Sequence, residues 1–323
     1  MFTSQATGWN TEGDKSGMVS IGTHKLFLSA SGPDRKPGEP IILLMQGLGS
    51  TIAEWVAVRR LVVPFARWVQ YDRSGLGRSE APPHQPDAIN AAAVARELET
   101  LLKNSDIEPP FIIVCHSWGG ITAREFLQLR PRDVVGMVFV DANTEKTFDG
   151  AIWLLPCVTA ITEGLSWPKG TGLEVDQVLS DREWAEVKKF QDDPQNQKTE
   201  AAESEGFKSD GKALATKYQI ENRILGNHPI SVIKSNTYRD MKRMFDAGVA
   251  AGKGTKAERA EYEEALSDFD EAWTTQQREL LKLSNRGRFI QIDDAGHNVQ
   301  MLQPAVVARE IRWVWDVVQG VAA

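Results

Sequence analysis

Cysteine is nearly absent. Cys115 and Cys157 are the only two in 323 residues, so no disulfide framework is expected to hold this chain. No Cys/His cluster and no His-x-His spacing suggests a metal. No apolar run approaches the ~20 residues that a membrane span needs, so no membrane partner is expected. The N-terminus, Met-Phe-Thr-Ser-Gln-Ala-Thr-Gly-Trp, has neither a basic n-region nor an apolar h-region. A secretory signal is therefore not expected, and a cytoplasmic location is the default. Basic residues do not outnumber acidic ones: 37 stand against 44, a net charge of −7, which argues against a nucleic-acid partner, since that would need a basic face. Internal repeats and low-complexity tracts are absent.

What is present is an ordinary globular composition, 41% hydrophobic and 25% charged, with enough chain to bury a large core. Met18 to Ile21 and Lys25 to Ser29 alternate apolar and polar around Gly22-Thr23-His24, the pattern of an opening hairpin. Ile41 to Met45, Phe111 to Val114 and Val134 to Val140 are short apolar runs that read as buried strands, and Trp68 to Tyr71 reads as another strand. Helical periodicity runs from about Thr51 to Leu61, Ala91 to Leu102 and Ile121 to Leu129. Strand and helix alternate for more than a hundred residues, which predicts an α/β fold with a mostly parallel twisted sheet and helices on both faces. Crossovers are then right-handed by default.

Between about Thr144 and Gly226 the alternation breaks. Ile152 to Ile161 is apolar, Glu183 to Phe190 is amphipathic, and Gln191 to Lys212 is polar enough to be expected as a mobile loop. Alternation resumes with a strand at Pro229 to Ile233, a charged helix from roughly Lys256 to Leu283, a strand at Arg288 to Ile292 and a last helix from Pro304 to Gln319. An insertion between two sheet strands is expected to cap the strand ends, where α/β sheets bind ligands. The predicted division is a core of 1–144 and 226–323 with a helical cap insertion at 145–225.

The most informative stretch is Phe-Ile-Ile-Val-Cys-His-Ser-Trp-Gly-Gly at 111–120. A buried strand stops at Ser117, and Gly119 and Gly120 open a helix. A serine on a sharp strand-to-helix turn needs small neighbours two residues to either side. Gly119 meets that need, and Cys115, small and apolar, stands where glycine is usual. This stretch resembles the nucleophile elbow of the α/β-hydrolase family. The resemblance extends over nearly the whole core: Gln46-Gly47-Leu48-Gly49 is similar to the family's His-Gly-x-Gly loop, with glutamine for histidine. Asp72 to Ser79 matches Asp-x-x-Gly-x-Gly-x-Ser, and Ala295-Gly296-His297 follows the last predicted strand.

The resemblance implies an α/β-hydrolase fold and a serine hydrolase acting through a covalent acyl-enzyme, without cofactor. Ser117 would be the nucleophile and His297 its base, in the chain order of this fold. The acid is expected at Asp141, with Asp240, at the family's commoner location, as the alternative. Backbone N–H groups of Leu48 and Trp118 would form the oxyanion hole. Of the other histidines, His24, His84 and His228 read as structural, and His116 as a packed strand-end residue. A dinucleotide site at Gly47-Leu48-Gly49 is disfavoured, because the third glycine is missing. Ten tryptophans are many for this length; Trp55, Trp153 and Trp184 are expected to wall an apolar substrate pocket. The expected partner is a hydrophobic small molecule, an ester or lactone, in a monomer or homodimer. A triad-using lyase, cyclase or C–C hydrolase, and a ligand-binding relative with a vestigial triad, are the alternatives.

Overall fold

The computed structural model describes residues 8–11, 13–149 and 152–321. Residues 1–7, read above for a secretory signal, lie outside them. Eight strands form one sheet: β1 (Lys15–Ser20), β2 (Lys25–Ser31), β3 (Ile41–Met45), β4 (Trp68–Tyr71), β5 (Phe111–His116), β6 (Val134–Val140), β7 (Ile230–Lys234) and β8 (Gly287–Gln291). Their order is β1-β2-β4-β3-β5-β6-β7-β8. β1, β2 and β4 pair antiparallel, and every pairing from β4 through β8 is parallel.

β3 and β5 are buried at every position, because helices cover both faces of the sheet, and this is why they read as continuous apolar runs rather than alternating ones. Along β3, Ile41, Leu43 and Met45 enter one cluster with Cys115 and Phe126, while Ile42 and Leu44 enter another with Val58 and Ile311. Helices α1 (Val56–Val62), α2 (Ala91–Asn104) and α3 (Gly119–Leu129) divide between the two faces. Each aliphatic side chain so buried stabilises the fold by about 1.5–3 kcal/mol. Cys115 is one of these core residues, and burial pushes its thiol pKa up.

Among the described residues five α-helices separate β6 from β7: α4 (Pro156–Thr162), α5 (Trp167–Gly170), α6 (Leu173–Asp176), α7 (Asp181–Gln191) and α8 (Pro194–Ala215). α9 (Thr237–Ala250) and α10 (Lys256–Glu279) follow β7, and α11 (Val299–Leu302) and α12 (Pro304–Val318) follow β8. Cys157 and Ile161 of α4 share a hydrophobic cluster with Phe245 of α9 and Tyr262, Phe269 and Trp273 of α10. This helical cluster is thus assembled from two stretches of chain. Among the described residues no helix is long and apolar enough to cross a membrane.

The stretch expected as a mobile loop is instead the 22-residue helix α8. Asp193 caps it by accepting from the N–H groups of Gln195 and Asn196, and Pro194 occupies its first turn. Its buried face carries, among Ala202, Gly206, Phe207, Gly211 and Leu214, four polar side chains: Asn196, Thr199, Glu203 and Asp210. Burial of such side chains requires hydrogen-bond partners. Asn196 accepts from Gly77 N at 3.0 Å, Thr199 donates to Gly75 O at 3.1 Å, and Asp210 accepts from Ala91 N at 3.0 Å. No hydrophobic stripe marks this face, so the sequence looked unstructured.

The closest approach along α8 is at Gly206, where a Cβ would fall 1.9 Å from Ile89 O. Gly206→Ala would ordinarily raise helix propensity. Here overpacking against backbone is expected to dominate and destabilise the protein by about 1–3 kcal/mol. A lowered urea midpoint checks this; an unchanged or raised one would show that α8 is free to shift.

Candidate active site

Parallel register delivers three chain segments to one sheet edge. Met45 lies beside Cys115, and His116 beside Val140, so Gln46, Ser117 and Asp141 emerge together. Ser117 has φ +53°, a left-handed backbone that serine adopts only under strain of about 1–3 kcal/mol. The turn is held from both sides. Ser117 O accepts from Gly120 N at 2.9 Å and from Asn143 N at 2.8 Å. A Cβ on Gly119 would sit 2.2 Å from Met45 O, so α3 can start only with glycine there. Ser117 Oγ donates to Asn143 Oδ1 at 3.3 Å.

Asp141 also has a left-handed backbone, φ +42°, and its carboxylate is fully buried. Four donors surround it: His297 Nδ1 at 2.7 Å, Thr237 Oγ1 at 2.5 Å, Trp273 Nε1 at 2.9 Å and Ser235 N at 3.0 Å. Burial pushes its pKa up, but the hydrogen bonds from His297, Thr237 and Trp273 outweigh that and hold it below the usual carboxylate range. His297 is the mirror case. Burial pushes its pKa down, and the hydrogen bond and charge of Asp141, then Asp240 and Glu54, push it above 6.5.

Asp240 reaches the same loop differently. It accepts from the backbone N–H of His297 at 2.7 Å, and burial raises its pKa to about 6. His116 packs its ring 4.6 Å from that of His297, and its Nε2–H donates to His297 O at 2.9 Å. Burial and the neighbouring His297 push its pKa down to about 3, so it stays neutral.

The loop after β3 is braced from below. Gln46 Nε2 donates to Tyr71 O at 2.7 Å, tying β3 to β4 beneath the loop. Arg73 donates to Gln46 O at 3.1 Å and to Gly47 O at 2.7 Å. Its guanidinium also forks onto Glu203 of α8, at 2.6 and 2.8 Å, in a pair with both side chains at most 3% exposed. Glu203 then accepts from Gly49 N at 2.9 Å. Among the described residues the N–H groups of Leu48 and Trp118 donate to no protein acceptor. Asp72 accepts from Ile52 N and Arg78 N, which accounts for its place in the Asp-x-x-Gly-x-Gly-x-Ser segment. Arg73 lies inside that segment, but Glu203 lies in a polar stretch that carries no motif.

A sequence model of the Alpha/beta hydrolase family matches residues 42–310. The chain belongs to this family. An AB hydrolase superfamily protein of Gibberella zeae is 33% identical over 96% of this chain and 99% of its own length. The protein named "Probable transporter efuK" of Hormonema carpetanum is 33% identical over 95% of this chain, which spans only 43% of that protein. Among solved structures, a serine hydrolase involved in carbazole degradation superposes with a TM-score of 0.62 at 15% identity, covering 94% of this chain and 99% of that one. Identity so low speaks for a shared fold alone.

In this alpha/beta hydrolase two cavities meet at Leu48, Ser117, Trp167 and His297. The larger, about 450 Å³, is also lined by Glu54, His116, Asp192 and Glu200. The smaller, about 250 Å³, is apolar, with Trp153, Phe207, Met241 and Trp273 in its wall. Of the three tryptophans expected to wall a pocket, Trp153 does so. Trp55 and Trp184 line neither cavity. Trp55 is fully buried between Trp68 and His116, because its helical turn packs it down onto the sheet. Trp184 turns inward to Leu173 and Val187. The wall is completed by Trp167 and Trp273, and only Trp167 falls in the stretch predicted to cap the site. Among the described residues no group of three or more His, Cys, Asp or Glu could hold a metal ion.

Proposed function

We propose that this alpha/beta hydrolase is a serine hydrolase that cleaves an ester-like bond, a carboxylester or lactone, of a hydrophobic small molecule. The observation that carries this reading is the His297 Nδ1–Asp141 contact of 2.7 Å, made to a carboxylate already fixed by three other donors, with His297 lining the same cavities as the strained Ser117. With Nδ1–H committed to Asp141, Nε2 carries the free lone pair that takes the Ser117 proton. Ser117 Oγ then attacks the carbonyl carbon. The tetrahedral oxyanion accepts from the N–H groups of Leu48 and Trp118, which no protein acceptor occupies among the described residues. Collapse passes the proton from His297 to the leaving oxygen and leaves Ser117 acylated. Water, deprotonated by the same imidazole, releases the acid.

The apolar wall of Trp153, Phe207, Met241 and Trp273 supports a hydrophobic substrate arm. In the same reading, residues 145–225 form a cap over the site, while 1–144 and 226–323 form the core. Mass spectrometry of the intact protein after treatment with a fluorophosphonate tests it. One adduct is expected on the wild type and none on Ser117→Ala. An adduct that persists in Ser117→Ala, or a folded wild type that takes none, would remove the activated serine and the reading with it.

A further inference from the structure

The two cavities at Ser117 differ in chemistry. The walls specific to the smaller one are largely hydrophobic, whereas three carboxylates, Glu54, Asp192 and Glu200, line the larger one without any Lys or Arg. Of the three only Glu54 is buried, while Asp192 and Glu200 are exposed. Elsewhere the buried glutamates Glu203, Glu310 and Glu125 are paired with Arg73, Arg288 and Lys217, and the buried aspartates Asp72, Asp210 and Asp240 each accept from N–H donors. Among the described residues no Lys or Arg pairs with Glu54, Asp192 or Glu200. Glu54 is only 7% exposed, and its one side-chain donor is the hydroxyl of Ser50, at 2.7 Å. A buried carboxylate without a cation is costly, and burial accordingly raises Glu54 to about 7, with Glu200 adding to the rise. Arg73, whose charge lowers it, is ion-paired with Glu203. The larger cavity also contains buried His116, whose Nδ1 has no hydrogen-bond partner.

We propose that the substrate is two-armed: its reacting carbonyl sits at Ser117, an apolar arm fills the smaller cavity, and the other arm carries a protonated amine between Glu54 and Glu200. The ammonium supplies the counter-charge that the protein withholds, and its N–H groups fill the acceptors of the carboxylates. By the same charge pattern a substrate ending in a carboxylate is repelled. This deepens the serine-hydrolase reading and rests on it for the position of the carbonyl.

Binding separates the two ideas. Ser117→Ala protein, which retains the cavities and cannot form an acyl-enzyme, is titrated by calorimetry with three pentanoate esters of matched length: 6-aminohexyl, heptyl and 5-carboxypentyl. A second series places the amine, methyl or carboxylate on the acyl arm of pentyl esters. In at least one series the amine is expected to bind at least about tenfold more tightly than the neutral ester, and the carboxylate more weakly. Adding Glu54→Gln and Glu200→Gln should bring amine and neutral ester to within about twofold. Glutamine mimics a protonated glutamate, so a preference that survives these changes overturns the proposal by showing that charge at these positions is not used. Neutral esters binding as well as amines in both series, or no ester binding at all, overturns it equally. Failure of the fluorophosphonate adduct on wild type would instead sink the hydrolase reading, whatever the binding order.

Discussion

Asp141→Asn is expected to lower kcat on a simple ester by about 10⁴-fold, the size of effect known where an amide replaces the triad carboxylate. Asp240→Asn is expected to lower it by less than about tenfold. Both carboxylates touch His297, but at different atoms. Asp141 accepts from the imidazole Nδ1 and Asp240 from the backbone N–H. An asparagine at 141 can present its NH₂ to Nδ1, which reverses the tautomer and puts the proton on Nε2. The imidazole can then no longer take the Ser117 proton. An asparagine at 240 still offers a carbonyl oxygen to the His297 N–H, so the loop keeps its place. The acid limb of kcat/KM provides a second readout. The base works when neutral, and His297 is held above 6.5, so wild-type activity should fall as pH drops through a midpoint above 6.5. Removing the Asp141 charge takes away the main cause of that rise, and residual activity should fall at lower pH. A dead Asp240→Asn beside a near-normal Asp141→Asn would transfer the role to Asp240.

That choice also marks how far the sequence could be read. β3 and β6 are visible to the residue because they are runs without a polar side chain, a pattern set by burial on both faces. Ser117 and His297 stand out because the glycines beside them, Gly119 and Gly296, which close packing requires, leave a local trace. Asp141 could be favoured over Asp240 but not fixed, since what distinguishes them is which atom of a residue 156 or 57 positions away each one meets. The same limit hid α8. Its inward face recognises backbone N–H groups, a hydroxyl-accepting carbonyl and a guanidinium, and none of these leaves a hydrophobic period. Trp55 and Trp184 failed as pocket walls for a related reason: aromatic content shows that apolar surface must be covered, not which side of a helix covers it. Arg73 was inside a motif whose role reads as structural, and its partner lies 130 residues on.

Arg73 and Glu203 make that point testable. Glu203→Ala would leave a buried guanidinium without its counter-ion and is expected to destabilise the protein by about 3–5 kcal/mol. It would also free Gly49 N and loosen the loop that carries the Leu48 N–H. Loss of one oxyanion donor is typically a factor of about 10²–10³ in kcat, with KM less affected, because the donor acts on charge that develops only in the transition state. Stability and catalysis can be separated with Arg73→Met/Glu203→Leu. Replacing a buried ion pair with apolar side chains of similar volume is often neutral or stabilising, so this double variant should regain most of the urea midpoint lost in Glu203→Ala. Its kcat should stay low, since methionine cannot donate to the carbonyls of Gln46 and Gly47 that Arg73 holds at 3.1 and 2.7 Å. Recovery of kcat together with stability would show that the pair merely fills space. Recovery of stability alone would mean that a residue from the inserted helix α8 sets the geometry of the oxyanion loop.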